Sequence, residues 1–219
     1  MFLLALGSSC GGSSDSGPDF GTNDPELIVA MGDSITFGYG DTGVDDCSAS
    51  YRKVGGFCPR LEGLVDKIVV NEGLCGAMSG DGAASVQYVL SRRRPGVLLI
   101  DYSPNDIYNG PDEVIRNLRT MIDAAIANKT VPVVGTLTPA SSTGPHRGWE
   151  PFIESLNSKI LALCEEMEVE CADHYAAFTS DSRYIVSPYA LLIEDGLHPN
   201  AAGYDVMAET WKKALKKVY

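Results

Sequence analysis

Short unbroken apolar runs alternate along this chain with longer amphipathic stretches, and that alternation restricts the fold more than any other feature. ELIVAM (26–31), KIVVN (67–71), VLLIDY (97–102), VPVVGTLT (131–138) and a short stretch at 169–172 read as strands. A strand that is apolar at nearly every position is buried on both faces, as in a parallel sheet covered by helices on each side. Helices are expected over about 57–67, from the Gly-rich loop 73–82 to Arg93, from Pro111, over about 151–167, and from near Asn200 to the end. Pro95-Gly96 stops the second of these, and Pro111 suits a helix start because its missing N–H costs nothing there. Val114, Leu118, Met121, Ile122, Ala125 and Ile126 keep helical spacing. The lysines of the closing KKALKKV suit the negative end of the last helix dipole. This order predicts an α/β fold, a three-layer α/β/α sandwich around a central parallel sheet of about five strands. Ligands of such sheets bind beyond the C-terminal ends of the strands.

A length of 219 residues suits one domain, expected over 26–219, preceded by a separate stretch at 1–25. The formal net charge of −12 repels phosphate backbones and anionic lipid, which argues against nucleic acid as a partner. No apolar run approaches the ~18 residues needed to span a bilayer. FLLAL at 2–6 is followed by GSSC, ending at Cys10, and then by a polar Gly- and Ser-rich tract that reads as a flexible tether to residue 25. Apolar run, small residues and cysteine in that order resemble a bacterial lipoprotein signal with its lipobox. The run is shorter than the usual ~7–15 residues and no Lys or Arg precedes it. The resemblance implies lipid attachment at Cys10, an extracytoplasmic location (periplasmic or at the cell surface), and membrane contact only through that anchor. With Cys10 set aside, Cys47/Cys58 and Cys164/Cys171 are close enough in sequence to close short loops, leaving Cys75 over. The sequence does not assign the bridges, and five free thiols are the open alternative. There is no C-x-x-C spacing, and His146 and His174 form no close ligand spacing with each other or with His198, so no metal is expected.

Chemistry concentrates at the expected strand ends. Gly32-Asp33-Ser34-Ile35-Thr36 follows the first strand, where a serine can project its hydroxyl over the sheet edge. Taken alone, an Asp-Ser pair is a common turn or cap. Asp195-Gly196-Leu197-His198 precedes the last helix, a spacing that lets a carboxylate orient an imidazole base, although a polar turn capping the helix is the plain alternative. Oxyanion donors are available from a backbone N–H in NEGLCGAMSG and from the side chain of Asn105 in YSPNDI. Gly73, Gly76 and Gly80 all qualify for the first, and Gly76 has the best spacing from Asn71. Tyr39, Tyr102 and Tyr108 flank the expected site, as groove lining or as packing.

Together, GDS, the glycine block, Asn105-Asp106 and DGLHPNAAGYDVMAE (195–209) resemble the SGNH (GDSL) hydrolase family over about 26–215. The resemblance implies the flavodoxin-like sandwich of that family and an esterase or lipase activity without a cofactor. It places the nucleophile on Ser34, the acid and base on Asp195 and His198, and the oxyanion hole on Ser34, Gly76 and Asn105. Ser103-Pro104 stands where the family has Gly-x before Asn-Asp, which bears on the acyl pocket. The substrate class implied is a carboxylic ester: a short acyl or acetyl ester, on a small molecule, a glycan or a lysophospholipid. An O-acyltransferase on the same scaffold and a non-catalytic glycan-binding lipoprotein are the rivals, and oligomeric state is not legible.

Overall fold

The computed structural model describes residues 17–48, 54–102 and 104–219. Five parallel strands form one sheet in the order β2-β1-β3-β4-β5: β1 Asp24–Gly32, β2 Ile68–Asn71, β3 Pro95–Asp101, β4 Val131–Gly135 and β5 Glu170–Ala172. All seven residues of β3 are buried, as expected of the strand at the centre. Its neighbour β1 pairs Val29 with Leu98 and Met31 with Ile100.

The period of two along each strand divides the core. Val29, Met31, Leu98, Ile100 and Val134 face one side, under α3 (Ser79–Arg93), α4 (Pro111–Ala127) and α5 (Glu150–Glu166). Ile28, Ala30, Val97, Leu99 and Val133 face the other, under α2 (Phe57–Val65) and α8 (Ala201–Leu215). Each buried Ile, Leu or Val of this kind contributes about 1.5–3 kcal/mol. Trp211, Tyr204 and Phe57 fill the second side and are fully buried. The expected three-layer α/β/α sandwich with a parallel five-stranded sheet is the fold observed.

Three local expectations are corrected. The fourth strand ends at Gly135 and not at 138, because Leu137 N–H turns to the Asn157 side chain (2.8 Å) and the Asn157 amide donates to Leu137 O (3.0 Å). The chain is docked before residue 26: Asp19 pairs with Lys129 (2.6 Å), Asn23 donates to Asn128 O (2.7 Å), and β1 already begins at Asp24. Cys47 does not pair with Cys58. It bonds Cys75, while Cys58 lies buried on the core face of α2 as a free thiol, away from the exposed loop that carries Cys47. Cys164–Cys171 forms as one of the two sequence-close pairs. Cys10 lies outside the described residues. Two short helices not read from the sequence, α6 (His174–Thr179) and α7 (Ser182–Val186), follow β5.

Candidate active site

The chain steps from β1 to β2 on one side and then crosses back past β1 to β3 on the other, so the sheet order reverses there and the crevice opens beyond the C-terminal end of β1. Ser34 is the first residue of a four-residue helix there, α1 (Ser34–Phe37). The sharp exit from the strand needs Gly32. A Cβ at that position would lie 2.0 Å from Thr36 Oγ1 and 2.3 Å from Asp101 O. Asp33 caps α1 by accepting the Ile35 N–H (2.9 Å). Capping leaves the Ser34 N–H, which starts the helix, without an intrahelical acceptor.

Distant parts of the chain meet at Ser34. Its hydroxyl lies 2.8 Å from His198 Nε2, and His198 Nδ1 lies 2.6 Å from Asp195 Oδ2. Burial opposes ionisation of Asp195, but hydrogen bonds from the His198 ring and from the Leu197 and His198 N–H groups hold its carboxyl below the usual range. An ionised carboxylate only accepts. His198 therefore donates from Nδ1, and its Nε2 lone pair accepts the Ser34 hydroxyl. The Tyr39 ring meets the His198 imidazole edge-on, with centroids 4.8 Å apart.

The oxyanion-hole candidates are tied to this centre. Asn71, at the end of β2, donates to Thr36 O (2.7 Å) and Phe37 O (3.2 Å) and accepts from Gly73 N (2.9 Å). That last bond sets Gly73 apart from the other two glycines. Gly73 has spent its N–H, Gly80 lies within α3, and Gly76 sits exposed in a turn with no acceptor for its N–H among the described residues. Gly76 has φ +76°, and Ala77 N–H closes the turn on Leu74 O (3.0 Å). Cys75 has a negative φ, so the turn is type II with glycine in the position that demands it. Asn105 donates to Ala77 O (2.9 Å), and its second amide hydrogen has no acceptor among the described residues. Asp106 accepts from Ser79 N–H (2.8 Å) and Ser79 Oγ (3.0 Å), locking the asparagine block to the start of α3. Pro104 opens a single 3-10 turn over Pro104–Asp106, and Ser103 lies outside the described residues.

Of the flanking tyrosines, Tyr39 borders the site, Tyr102 is core packing at 4% exposure, and Tyr108 is 91% exposed. His146 is a site neighbour that the sequence did not reveal. Its Nδ1–H donates to the Asp195 carbonyl (3.0 Å), and its ring centroid lies 6.4 Å from that of His198. Ser141 N–H donates to Gly196 O (2.7 Å), so the loop after β4 clasps the acid–base turn at two points. Below the nucleophile, burial and the charge of Asp33 push the Asp101 carboxyl up to about 8, against the opposing Thr36 hydrogen bond. His174, fully buried beside Trp211, is pushed down to about 3 by burial alone. Among the described residues no three of His, Cys, Asp and Glu gather as metal ligands. A cleft of about 340 Å³ lined by Leu64, Val65, Lys67 and Tyr219 lies at the opposite end of the sheet and carries no nucleophile–base pair.

The GDSL-like lipase/acylhydrolase family matches residues 30–206. No curated protein matches. Solved structures share the fold. A GDSL-like lipase from Bacteroides thetaiotaomicron is 22% identical with a TM-score of 0.69, covering 89% of each chain. A member of the lipolytic protein G-D-S-L family from Veillonella parvula is 18% identical with a TM-score of 0.68, over 87% of this chain and 98% of that one. A mutant acetyl-xylooligosaccharide esterase from a Geobacillus species is 22% identical with a TM-score of 0.69, over 88% of this chain and 95% of that one.

Proposed function

This chain belongs to the GDSL-like lipase/acylhydrolase family, and on that premise we propose that it hydrolyses carboxylic esters at Ser34 through an acyl-enzyme. The observation that carries the proposal is the unbroken chain from Ser34 Oγ to His198 Nε2 (2.8 Å) and from His198 Nδ1 to Asp195 Oδ2 (2.6 Å). His198 takes the Ser34 proton as Oγ attacks the ester carbonyl. The carbonyl oxygen becomes an oxyanion, met by the N–H groups of Ser34 and Gly76 and the free amide hydrogen of Asn105. Such donors stabilise the transition state by about 2.7–4 kcal/mol each. Asp195 steadies the imidazolium, which then protonates the departing alcohol. Water repeats the sequence: His198 deprotonates it, it attacks the acyl carbonyl, and Ser34 recovers its proton as the acid leaves. No step calls for a cofactor.

The substrate we favour is a short acyl ester, with acetyl groups on a glycan first among the options. Support comes from the acetyl-xylooligosaccharide esterase that shares the fold and from the lipoprotein-like start of the chain, which would place the enzyme outside the cytoplasm on a lipid at Cys10. Ser34→Ala is expected to abolish turnover of p-nitrophenyl acetate while leaving the thermal transition in place; full turnover in the folded variant would refute the assignment. A chain-length series of esters run beside acetylated xylan and lysophosphatidylcholine ranks the substrates. Cys10→Ser is expected to move the protein from the membrane to the soluble fraction.

A further inference from the structure

We propose that the Cys47–Cys75 disulfide positions the oxyanion donor at Gly76, so that ester hydrolysis depends on the oxidation of this one bond. The inference rests on the reading of Ser34 as nucleophile and Gly76 as donor.

The N–H of Gly76 belongs to the peptide plane that begins at Cys75 Cα, so whatever holds Cys75 holds that N–H. Packing holds the end of the turn, where Ala77 joins the core, but little of its middle. Leu74 is 51% exposed, Met78 is 42% exposed, and no atom lies within 4 Å of where a Gly76 Cβ would be. Hydrogen bonds fix the two ends of the turn: Leu74 N–H on Gly32 O (3.0 Å) and Asn105 on Ala77 O (2.9 Å). Between them, at the second position of the turn, stands Cys75, bonded to Cys47 across 28 residues of sequence.

Cys47 is itself exposed, but it stands only three residues beyond a segment that is clamped. Gly40 N–H donates to Val44 O (3.0 Å) and Val44 N–H to Asp41 O (2.9 Å). The Asp41 carboxylate accepts from Gly56 N–H (2.9 Å) and from Arg60 Nη2 via its other oxygen (3.0 Å). Val44 is 1% exposed. This segment continues directly from α1, the helix that begins with the nucleophile. The disulfide therefore refers the donor turn back to the segment that carries Ser34. The second disulfide, Cys164–Cys171, joins the end of α5 to β5 at the far edge of the sheet. It supplies an internal control of the same chemistry at a distance from the site.

Reduction by a dithiol transfers two electrons into the S–S bond, releases Cys47 and Cys75 as two thiols, and leaves the dithiol as its own disulfide. The turn then loses its middle tether. A donor aimed at a developing oxyanion acts on kcat and hardly on KM. A misplacement of about 1 Å is worth up to ~10²-fold.

The test compares full-length wild type, Cys47→Ser/Cys75→Ser and Cys164→Ser/Cys171→Ser by kcat and KM on p-nitrophenyl acetate, together with inhibition by phenylboronic acid, whose serine adduct is tetrahedral. The first variant is expected to lose about tenfold to a hundredfold in kcat at unchanged KM, and to lose boronic acid affinity in the same proportion. The second is expected to keep kcat. Should the first variant fail to fold, dithiothreitol treatment of folded wild type, with alkylation of Cys47 and Cys75 read by mass spectrometry, is expected to give the same loss and to reverse on reoxidation. Full kcat in protein alkylated at both cysteines overturns the proposal, as does an equal loss in the Cys164→Ser/Cys171→Ser control. Oxidised wild type without any ester turnover overturns instead the hydrolase reading beneath it.

Discussion

Replacing Gly76 by alanine isolates the backbone donor proposed for the oxyanion hole from everything around it. The residue has φ +76°, and an added Cβ meets nothing within 4 Å, so the substitution causes no clash. The strain is conformational. An L-residue held in the left-handed region costs about 1–2 kcal/mol. The turn escapes that cost by rotating the Cys75–Gly76 peptide, which converts type II to type I and leaves the closing bond from Ala77 N–H to Leu74 O intact. The rotation aims a carbonyl where the N–H had been. Losing one donor of this kind costs about 10²–10³ in kcat. Stability changes by about 1 kcal/mol or less, a shift of roughly 2–4 °C at this chain length. The assay is kcat and KM on p-nitrophenyl acetate beside a thermal melt. Gly43→Ala serves as the control, since Gly43 has φ +75° and equally open surroundings. The expected result is a large fall in kcat at nearly constant KM for Gly76→Ala, with Gly43→Ala matching it in the melt and keeping its rate. Wild-type kcat in Gly76→Ala would show that this N–H does not face the oxyanion.

Other perturbations address the remaining parts. Asp195→Asn leaves the His198 Nδ1 partner in place but removes the charge that fixes the tautomer, and kcat is expected to fall about 10⁴-fold in steady-state assays with the protein still folded. Asn71→Ala removes the hydrogen bonds to Thr36 O, Phe37 O and Gly73 N–H, three polar groups around the nucleophile helix, and should cost about 2–4 kcal/mol in denaturant melts as well as activity. Asp101 carries a carboxyl raised to about 8, so between the unfolded value of 3.8 and that value the native state binds more protons than the unfolded chain. Its contribution is thus fully present below about 4 and is lost as pH rises through about 8. Asp101→Asn is expected to make melting temperatures fall less between pH 5 and pH 8 than they do in wild type; parallel pH profiles would refute the assignment.

The sheet was legible because its strands need burial on both faces. VLLID cannot satisfy that as anything but a covered strand, and all its residues are buried. The candidate site was legible as a set, since Ser34, Asn105, Asp195 and His198 each follow a strand or precede the last helix, and the structure brings Ser34, His198 and Asp195 together. What escaped depends on contacts across sequence. Cys75 finds Cys47 and not a nearer cysteine because Asn71 and Gly73 dock their loop against α1, bringing the two thiols together over 28 positions. His146 sits in a loop without periodicity and becomes a site residue only when that loop closes on the Asp195 carbonyl. The helices α6 and α7 are too short for a hydrophobic period to register. Their one local signal was Asp173 and Asp181, whose side chains cap them by accepting from Ala176 N–H (3.0 Å) and Arg183 N–H (2.8 Å).

The measurement that bears most directly on the account is covalent labelling with a fluorophosphonate, followed by peptide mass mapping. An activated Ser34 is expected to carry the adduct alone among the serines, and His198→Ala is expected to suppress it. A folded protein that takes up no label, or takes it up at another serine, would contradict the assignment of Ser34 as the activated nucleophile.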